Sequence, residues 1–306
     1  MKKDFISVSD FSQTEVIETF KLAIDMKQNK SKYSDRLKGK GLFIYFEKDS
    51  LRTRVSFDVG IHELGGFSVV VVAANESSRI GTRESIYDVA KNLERMVGGI
   101  MMRTFSHTKV VDMAKHASIP VINGLTDYSH PCQAMADYLT FYEKKGDLKG
   151  RKLCYVGDGN NVAHSLMEAG AILGVNVTIS TPEGYEPNLI AFKEAEAIAK
   201  ETGAKIEVIH NPKEAIKDAD AVYTDVWASM GQESEAAMRK KIFAPYQVND
   251  ELMSFAKSDA IFMHCLPAHR GDEVTDSVID SKNSVVFDEA ENRLHVQKAI
   301  MYQLMK

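Results

Sequence analysis

The stretch GLFIYFEKDSLRTRVSFDVGIHELGG, residues 41–66, decides the fold. GLFIYF reads as a buried strand, the charged turn EKDS follows, and LRTRVSFDVGIHELGG reads as a helix stopped by paired glycines. Strand, polar turn and helix in that order form the repeating unit of a parallel α/β sheet. Downstream, FSVVVV at 67–72 supplies a second buried strand, and the polar segment ANESSRIGTR delays the next helix, ESIYDVAKNLERMVGG. GIMMRTF, the helical KVVDMAKHA and IPVING continue the alternation into a long helix, SHPCQAMADYLTFYEKKG. Upstream, Ser12 and Glu15 have capping-box spacing before Val16, Ile17, Phe20 and Ile24, which predicts a helix over about 13–27.

The polar stretch KKGDLKG at 144–150 marks a boundary, because KLCYVGDGNNVAHSLMEAGAILG then restarts with a strand, a glycine turn and a helix. VNVTIS, a helix near 187–202, KIEVIH, DAVYTD and AIFMHC extend this second half. The final helix, EAENRLHVQKAIMYQLM, carries Val296, Ile300 and Met301 on one apolar side. The expected fold is α/β, with two three-layer domains built on mostly parallel sheets. Residues 1–147 form the first domain, 148–288 the second, and 289–306 a C-terminal helix that packs back on the first.

A chain of 306 residues is long enough for two such cores. Its 44% hydrophobic and 26% charged residues exclude a mostly disordered or collagen-like chain. The net charge of -5 is a poor background for nucleic acid, although a small anion remains possible. Cys132, Cys154 and Cys265 are too few and too scattered for a disulfide scaffold, so a reducing cytoplasm is expected. The opening MKKDFISVSDFSQTEV fails as a signal peptide, and no apolar run is long enough to span a membrane.

Ser50, Leu51, Arg52, Thr53 and Arg54 fall where a strand hands over to a helix, so unpaired N–H groups and the helix dipole favour an anion there. The fork of Arg52 suits phosphate oxygens, the alternative being a capped helix with solvated charges. Arg103 follows the strand GIMM and brings a second guanidinium to the same crevice. His130 and Gln133 lie three apart in SHPCQ, on one helical face, where imidazole and amide suit a carbonyl and an amide-like group. VGDGNN lacks the full Gly-x-Gly-x-x-Gly, which argues against a nicotinamide cofactor.

Asn161 begins the next helix and either caps it or holds a carboxylate or amine. Asp225, at the end of the strand AVYT, faces the ligand side of a parallel sheet and suits a cationic substrate. Ser229, Met230 and Gly231 follow in a loop able to close over it. Cys265 and Leu266 lie at a strand end in HCLPAHRGDE; no Asp or Glu completes a metal site there and no His-Glu-x-x-His is present, so no metal is expected. Cys265 reads as a substrate-binding thiol or a small buried hydrophobe, and Cys132 and Cys154 as buried fillers.

These segments together resemble the aspartate/ornithine carbamoyltransferase family over essentially the whole chain. FEKDSLRTRVSF is similar to its carbamoyl-phosphate signature, SHPCQAMADYLT to its His-Pro-x-Gln element, DVWASMGQE to its ornithine-type loop and HCLPAHRG to its amino-acid-binding turn, all in family order. The resemblance implies two domains joined by interdomain helices, a catalytic homotrimer or a multiple of trimers, and transfer of a carbamoyl group to the side-chain amine of L-ornithine without a cofactor. It implies that Ser50, Leu51, Arg52, Thr53, Arg103, His130, Gln133 and Arg293 hold carbamoyl phosphate, with Arg79 on a loop from a neighbouring subunit. It assigns Asn161, Asp225, Ser229, Met230, Cys265 and Leu266 to ornithine, and the chemistry to Arg52, Arg103, His130 and Cys265.

Leu51 departs from the family's usual Thr or Gly and is similar to the acetylornithine and succinylornithine enzymes, but HCLPAHRG and SMG follow the ornithine pattern. Putrescine and N-acylated ornithines are the rival substrates. An NAD-dependent oxidoreductase and a non-catalytic phospho-ligand-binding protein are the rivals of other classes.

Overall fold

The computed structural model describes residues 2–228 and 233–306. The chain divides into two compact units, residues 1–136 with 291–306, and residues 137–290. The division falls inside a helix, ahead of the polar stretch 144–150.

In the first unit, β1 (Gly41–Phe46), β2 (Phe67–Val72), β3 (Gly99–Arg103) and β4 (Val121–Leu125) form a sheet in the order β2-β1-β3-β4. Every strand pairing is parallel. The connecting helices are α1 (Gln13–Gln28), α2 (Leu51–Glu63), α3 (Ile86–Leu93), α4 (His107–His116) and the start of α5 (Pro131–Lys145). Ser12 and Glu15 close the capping box of α1 in both directions. β1 is buried throughout and lies between two strands, as its uninterrupted apolar run requires.

β2 corrects the reading of FSVVVV as a buried strand. It is the sheet edge, paired to β1 alone, and Phe67, Val69, Val71 and Val72 are each at least 40% exposed. Beside them, Leu51, Val55 and Val59 form an exposed stripe at four-residue spacing on α2.

In the second unit, β5 (Lys152–Val156), β6 (Asn176–Ser180), β7 (Ile206–Val208), β8 (Ala221–Thr224) and β9 (Ile261–Met263) are ordered β7-β6-β5-β8-β9, again all parallel. Helices α6 (Asn161–Leu173), α7 (Leu189–Thr202), α8 (Pro212–Ala215), α9 (Ala236–Phe243), α10 (Asp250–Met253) and α11 (Asp276–Ile279) belong to it, followed by α12 (Val286–Met305). The strand order reverses at β5, and Asn161 and Asp225 follow the carboxyl ends of β5 and its neighbour β8, where parallel sheets place their ligands. On α12, Val296, Ile300 and Met301 are fully buried, and residues 291–306 belong to the first unit.

Within VGDGNN, Gly159 is required by chain packing. A Cβ at this position would stand 2.3 Å from the backbone nitrogen of Pro187, so the glycine admits the 185–187 chain. Its N–H donates to the carbonyl of Tyr185 at 2.9 Å.

Candidate active site

The first unit gathers a buried cationic cluster at the carboxyl ends of β1 and β3. Ser50 caps α2 with its hydroxyl, accepting from the Thr53 N–H at 3.2 Å. The Thr53 hydroxyl in turn accepts from Arg103 Nη1 at 3.3 Å and from Arg293 Nη2 at 3.1 Å. Arg293 Nη1 donates to the Gln133 side-chain oxygen at 2.5 Å. Thr53, Arg103, His130, Gln133 and Arg293 are all buried. The start of α2, the end of β3 and the middle of α12 therefore meet at one hydroxyl, and Arg293 ties the start of α5 to them.

Electrostatics in the cluster fix the state of His130. Burial, and then the positive charges of Arg293, Arg103 and Arg52, hold its imidazole well below the usual histidine range, so it is neutral at physiological pH. A neutral ring keeps one N–H to donate toward a developing oxyanion without repelling the guanidinium groups. Gln297 was not singled out from sequence. In the amide orientation that satisfies both of its ends, its oxygen accepts from Arg293 Nε at 3.0 Å and its nitrogen donates to Ser56 at 2.6 Å. The spacing of four from Arg293 along α12 is the signal that would have found it.

Not every expected residue joins this group. Leu51 is 75% exposed and its side chain lies on the surface. Arg54 is exposed, its backbone N–H bonded to Ser50. Arg79 is engaged elsewhere: its guanidinium stacks on Phe105 at 4.7 Å and pairs with Glu76 at 3.4 Å.

The second unit carries a different network. Asp225 is buried and accepts from the Asn160 amide at 3.0 Å and from the Cys265 thiol at 3.1 Å. Asn160, not Asn161, caps α6: its side-chain oxygen takes the N–H groups of Val162 and Ala163 at 2.9 and 3.2 Å. One side chain thus closes the helix with its oxygen and orients the carboxylate with its nitrogen. Asn161 is the first residue of α6, half-buried beside it. Burial, then the Asp225 charge, pushes the Cys265 thiol well above its ordinary value, so it is a hydrogen-bonding thiol and not a thiolate nucleophile.

Around Cys265 the chain is bent tightly. Leu266 has φ of +57°, a left-handed conformation that a bulky side chain rarely adopts, and its N–H donates to His264 Nδ1 at 2.8 Å. The expectation that no acidic residue accompanies Cys265 and His264 is corrected: donor atoms of Asp225, His264 and Cys265 lie within 4.8 Å of one another. Each is committed within the protein, the histidine to Leu266 and Glu273 and the thiol to Asp225, so they form a closed network and present no open ligand set. Ser229 and Met230 lie outside the described residues.

Residues 3–143 match the family description "Aspartate/ornithine carbamoyltransferase, carbamoyl-P binding domain", and residues 149–304 match "Aspartate/ornithine carbamoyltransferase, Asp/Orn binding domain". The chain is 58% identical over 305 residues to an ornithine carbamoyltransferase of Thermococcus kodakarensis, covering 99% of this chain and 96% of the relative. The ornithine carbamoyltransferase structure from Pyrococcus furiosus superposes with a TM-score of 0.95 at 53% identity, covering 99% of this chain and 97% of that one. An acetylornithine transcarbamylase complexed with acetylcitrulline is similar at lower identity, 33%, with a TM-score of 0.89 over 99% of each chain. The matched regions span both units and carry both networks, and the chain belongs to the aspartate/ornithine carbamoyltransferase family.

Proposed function

We propose that the buried cluster of the first unit binds carbamoyl phosphate and that the Asp225 network of the second unit binds L-ornithine. The chain transfers the carbamoyl group from carbamoyl phosphate to ornithine, forming citrulline and phosphate. The observation that carries the site reading is the buried Thr53 hydroxyl joined to both Arg103 and Arg293, with buried His130 held neutral by burial and the same arginine charges. Such a pocket neutralises a phosphate and still offers a donor to a carbonyl oxygen.

In this reading Ser50, Leu51, Arg52 and Thr53 take the phosphate, with backbone N–H groups at the start of α2 adding to the guanidinium charge. Arg103, His130, Gln133 and Arg293 hold the carbamoyl end. The neutral side-chain amine of ornithine attacks the carbonyl carbon, and Arg103 and His130 stabilise the oxyanion of the tetrahedral species. The C–O bond to phosphate then breaks, the arginines carry the leaving charge, and the departing phosphate accepts the amine proton. Asp225 pairs with the α-amino group, Asn161 with the α-carboxylate, and Cys265 and Leu266 flank the side chain. Ser229 and Met230 complete this half, and no cofactor is needed.

We also assign the chain to a homotrimer, or a multiple of trimers, in the cytoplasm. The exposed stripe Leu51, Val55 and Val59 beside the exposed edge strand β2 supports a second copy docking there. Arg79, engaged away from its own cluster, is the residue assigned to a neighbour's site. Among the described residues no helix is long and apolar enough to cross a membrane.

The test is a substrate panel. Purified protein with carbamoyl phosphate is expected to make citrulline from L-ornithine and to act poorly on putrescine, N-acetylornithine, N-succinylornithine and aspartate. Preference for any of those overturns the substrate assignment.

A further inference from the structure

Two buried carboxyl groups stand behind the turn that carries Cys265, one of them bonded to the turn's backbone at His264. Asp137 on α5 and Glu289 on α12 both belong to the second unit, are fully buried, and are hydrogen-bonded to each other. Two carboxylates have no proton to share, so a hydrogen bond between them requires that one be protonated. The rest of the geometry shows what Glu289 is for. One of its oxygens accepts the backbone N–H of His264 at 3.0 Å, and the other accepts the Tyr223 hydroxyl at 3.2 Å.

His264 continues the chain of contacts. Because Nδ1 accepts from Leu266 N–H at 2.8 Å, the ring proton sits on Nε2 and is donated to Glu273 at 3.2 Å. Glu273 also accepts the N–H of His269 at 2.5 Å. The turn from 264 to 269 is therefore held at its base by Glu289 and along its length by His264 and Glu273, with Cys265 between the first two anchors.

We propose that Asp137 and Glu289 form a one-proton carboxyl pair that positions the His264–Leu266 turn, and through it Cys265, for the amino-acid substrate. Both are positioning residues, and the inference rests on the assignment of the Cys265 side to ornithine. Burial first, and then negative charge from Asp137, Glu289 and Asp225, raises the Tyr223 hydroxyl and the Cys265 thiol. The proton in the Asp137–Glu289 hydrogen bond leaves the pair with one negative charge in place of two. Burial, followed by the Asp137 charge, accordingly pushes Glu289 well above the carboxylic range.

The experiment combines infrared spectroscopy with steady-state kinetics on the full chain at neutral pH. The wild type is expected to show the C=O stretch of a protonated carboxyl, and Asp137→Asn is expected to shift or lose it, because the amide replaces one member of the pair. Asp137→Asn is expected to keep the ornithine KM within about threefold, since it keeps the hydrogen bond. Glu289→Ala unties His264 and is expected to raise the ornithine KM by about tenfold or more with the carbamoyl-phosphate KM little changed. If that variant does not fold, Glu289→Gln, which retains one acceptor and donates to Asp137, is read in the same way with a smaller rise. No carboxyl band in the wild type, or parallel changes in both KM values, overturns the proposal. A wild type that shows the band yet makes no citrulline would instead overturn the ornithine reading on which it rests.

Discussion

Arg293 donates from Nη1 to the side-chain oxygen of Gln133 at 2.5 Å, and from Nη2 to the hydroxyl of Thr53 at 3.1 Å, so an arginine near the chain's end organises residues from two earlier helices. The guanidinium fork meets two acceptors at once, a geometry an ammonium group does not reproduce. Arg293→Lys is therefore expected to behave as a loss. Removing one charge-assisted contact costs about 1.5–3 kcal/mol, which predicts a rise of about tenfold to a hundredfold in the carbamoyl-phosphate KM. Initial-rate kinetics with ornithine saturating checks this.

Asn160 separates two roles that one substitution can expose. Asn160→Ala removes the α6 cap, a loss of about 1–2 kcal/mol visible in denaturant unfolding, and also frees Asp225, raising the ornithine KM. Asn160→Asp keeps an acceptor for the cap and sets a second carboxyl against Asp225. Its stability is expected to stay closer to wild type than that of Asn160→Ala while ornithine binding weakens as much, a split that unfolding and kinetics read separately.

His130 gives a pH prediction with a definite sign. Its folded pKa lies well below that of the unfolded chain, so as pH falls below about 6.5 the unfolded chain gains a proton that the native state refuses. This contribution to stability is present above that pH and is lost progressively on acidification, until the native ring itself titrates. His130→Gln is expected to remove that part of the acid dependence of unfolding. It is also expected to lower kcat by about a hundredfold or more if the ring stabilises the oxyanion.

Cys265 is expected to react slowly with iodoacetamide at neutral pH, because burial and Asp225 keep it protonated. Cys265→Ser preserves a donor to Asp225 and is expected to retain more activity than Cys265→Ala. Mass spectrometry after timed alkylation gives the first result. Rapid labelling of Cys265 would contradict the protonated assignment.

Much of this was legible in the sequence because it was local. The capping box at Ser12 and Glu15, the buried run 41–46 and the handover from strand to helix at Ser50 each depend on neighbours a few residues apart. The exposure of β2 was not, because an apolar run is the same letters in a sheet centre and at an edge; only the strand order separates the two. Asn160 escaped notice beside Asn161 because one residue decides which side chain caps and which enters the helix. The Asp137–Glu289 pair and the Gln297 support of Arg293 join distant or unremarked positions whose contact arises from helix packing, and no local pattern announces them.

The central claim is that carbamoyl phosphate is held by the residues of the first unit independently of the Asp225 network. Calorimetric titration of carbamoyl phosphate alone into Arg52→Ala and Asp225→Ala tests it most directly. The account predicts binding abolished or severely weakened in Arg52→Ala and close to wild type in Asp225→Ala. Wild-type affinity in Arg52→Ala, or equal loss in both variants, would contradict it.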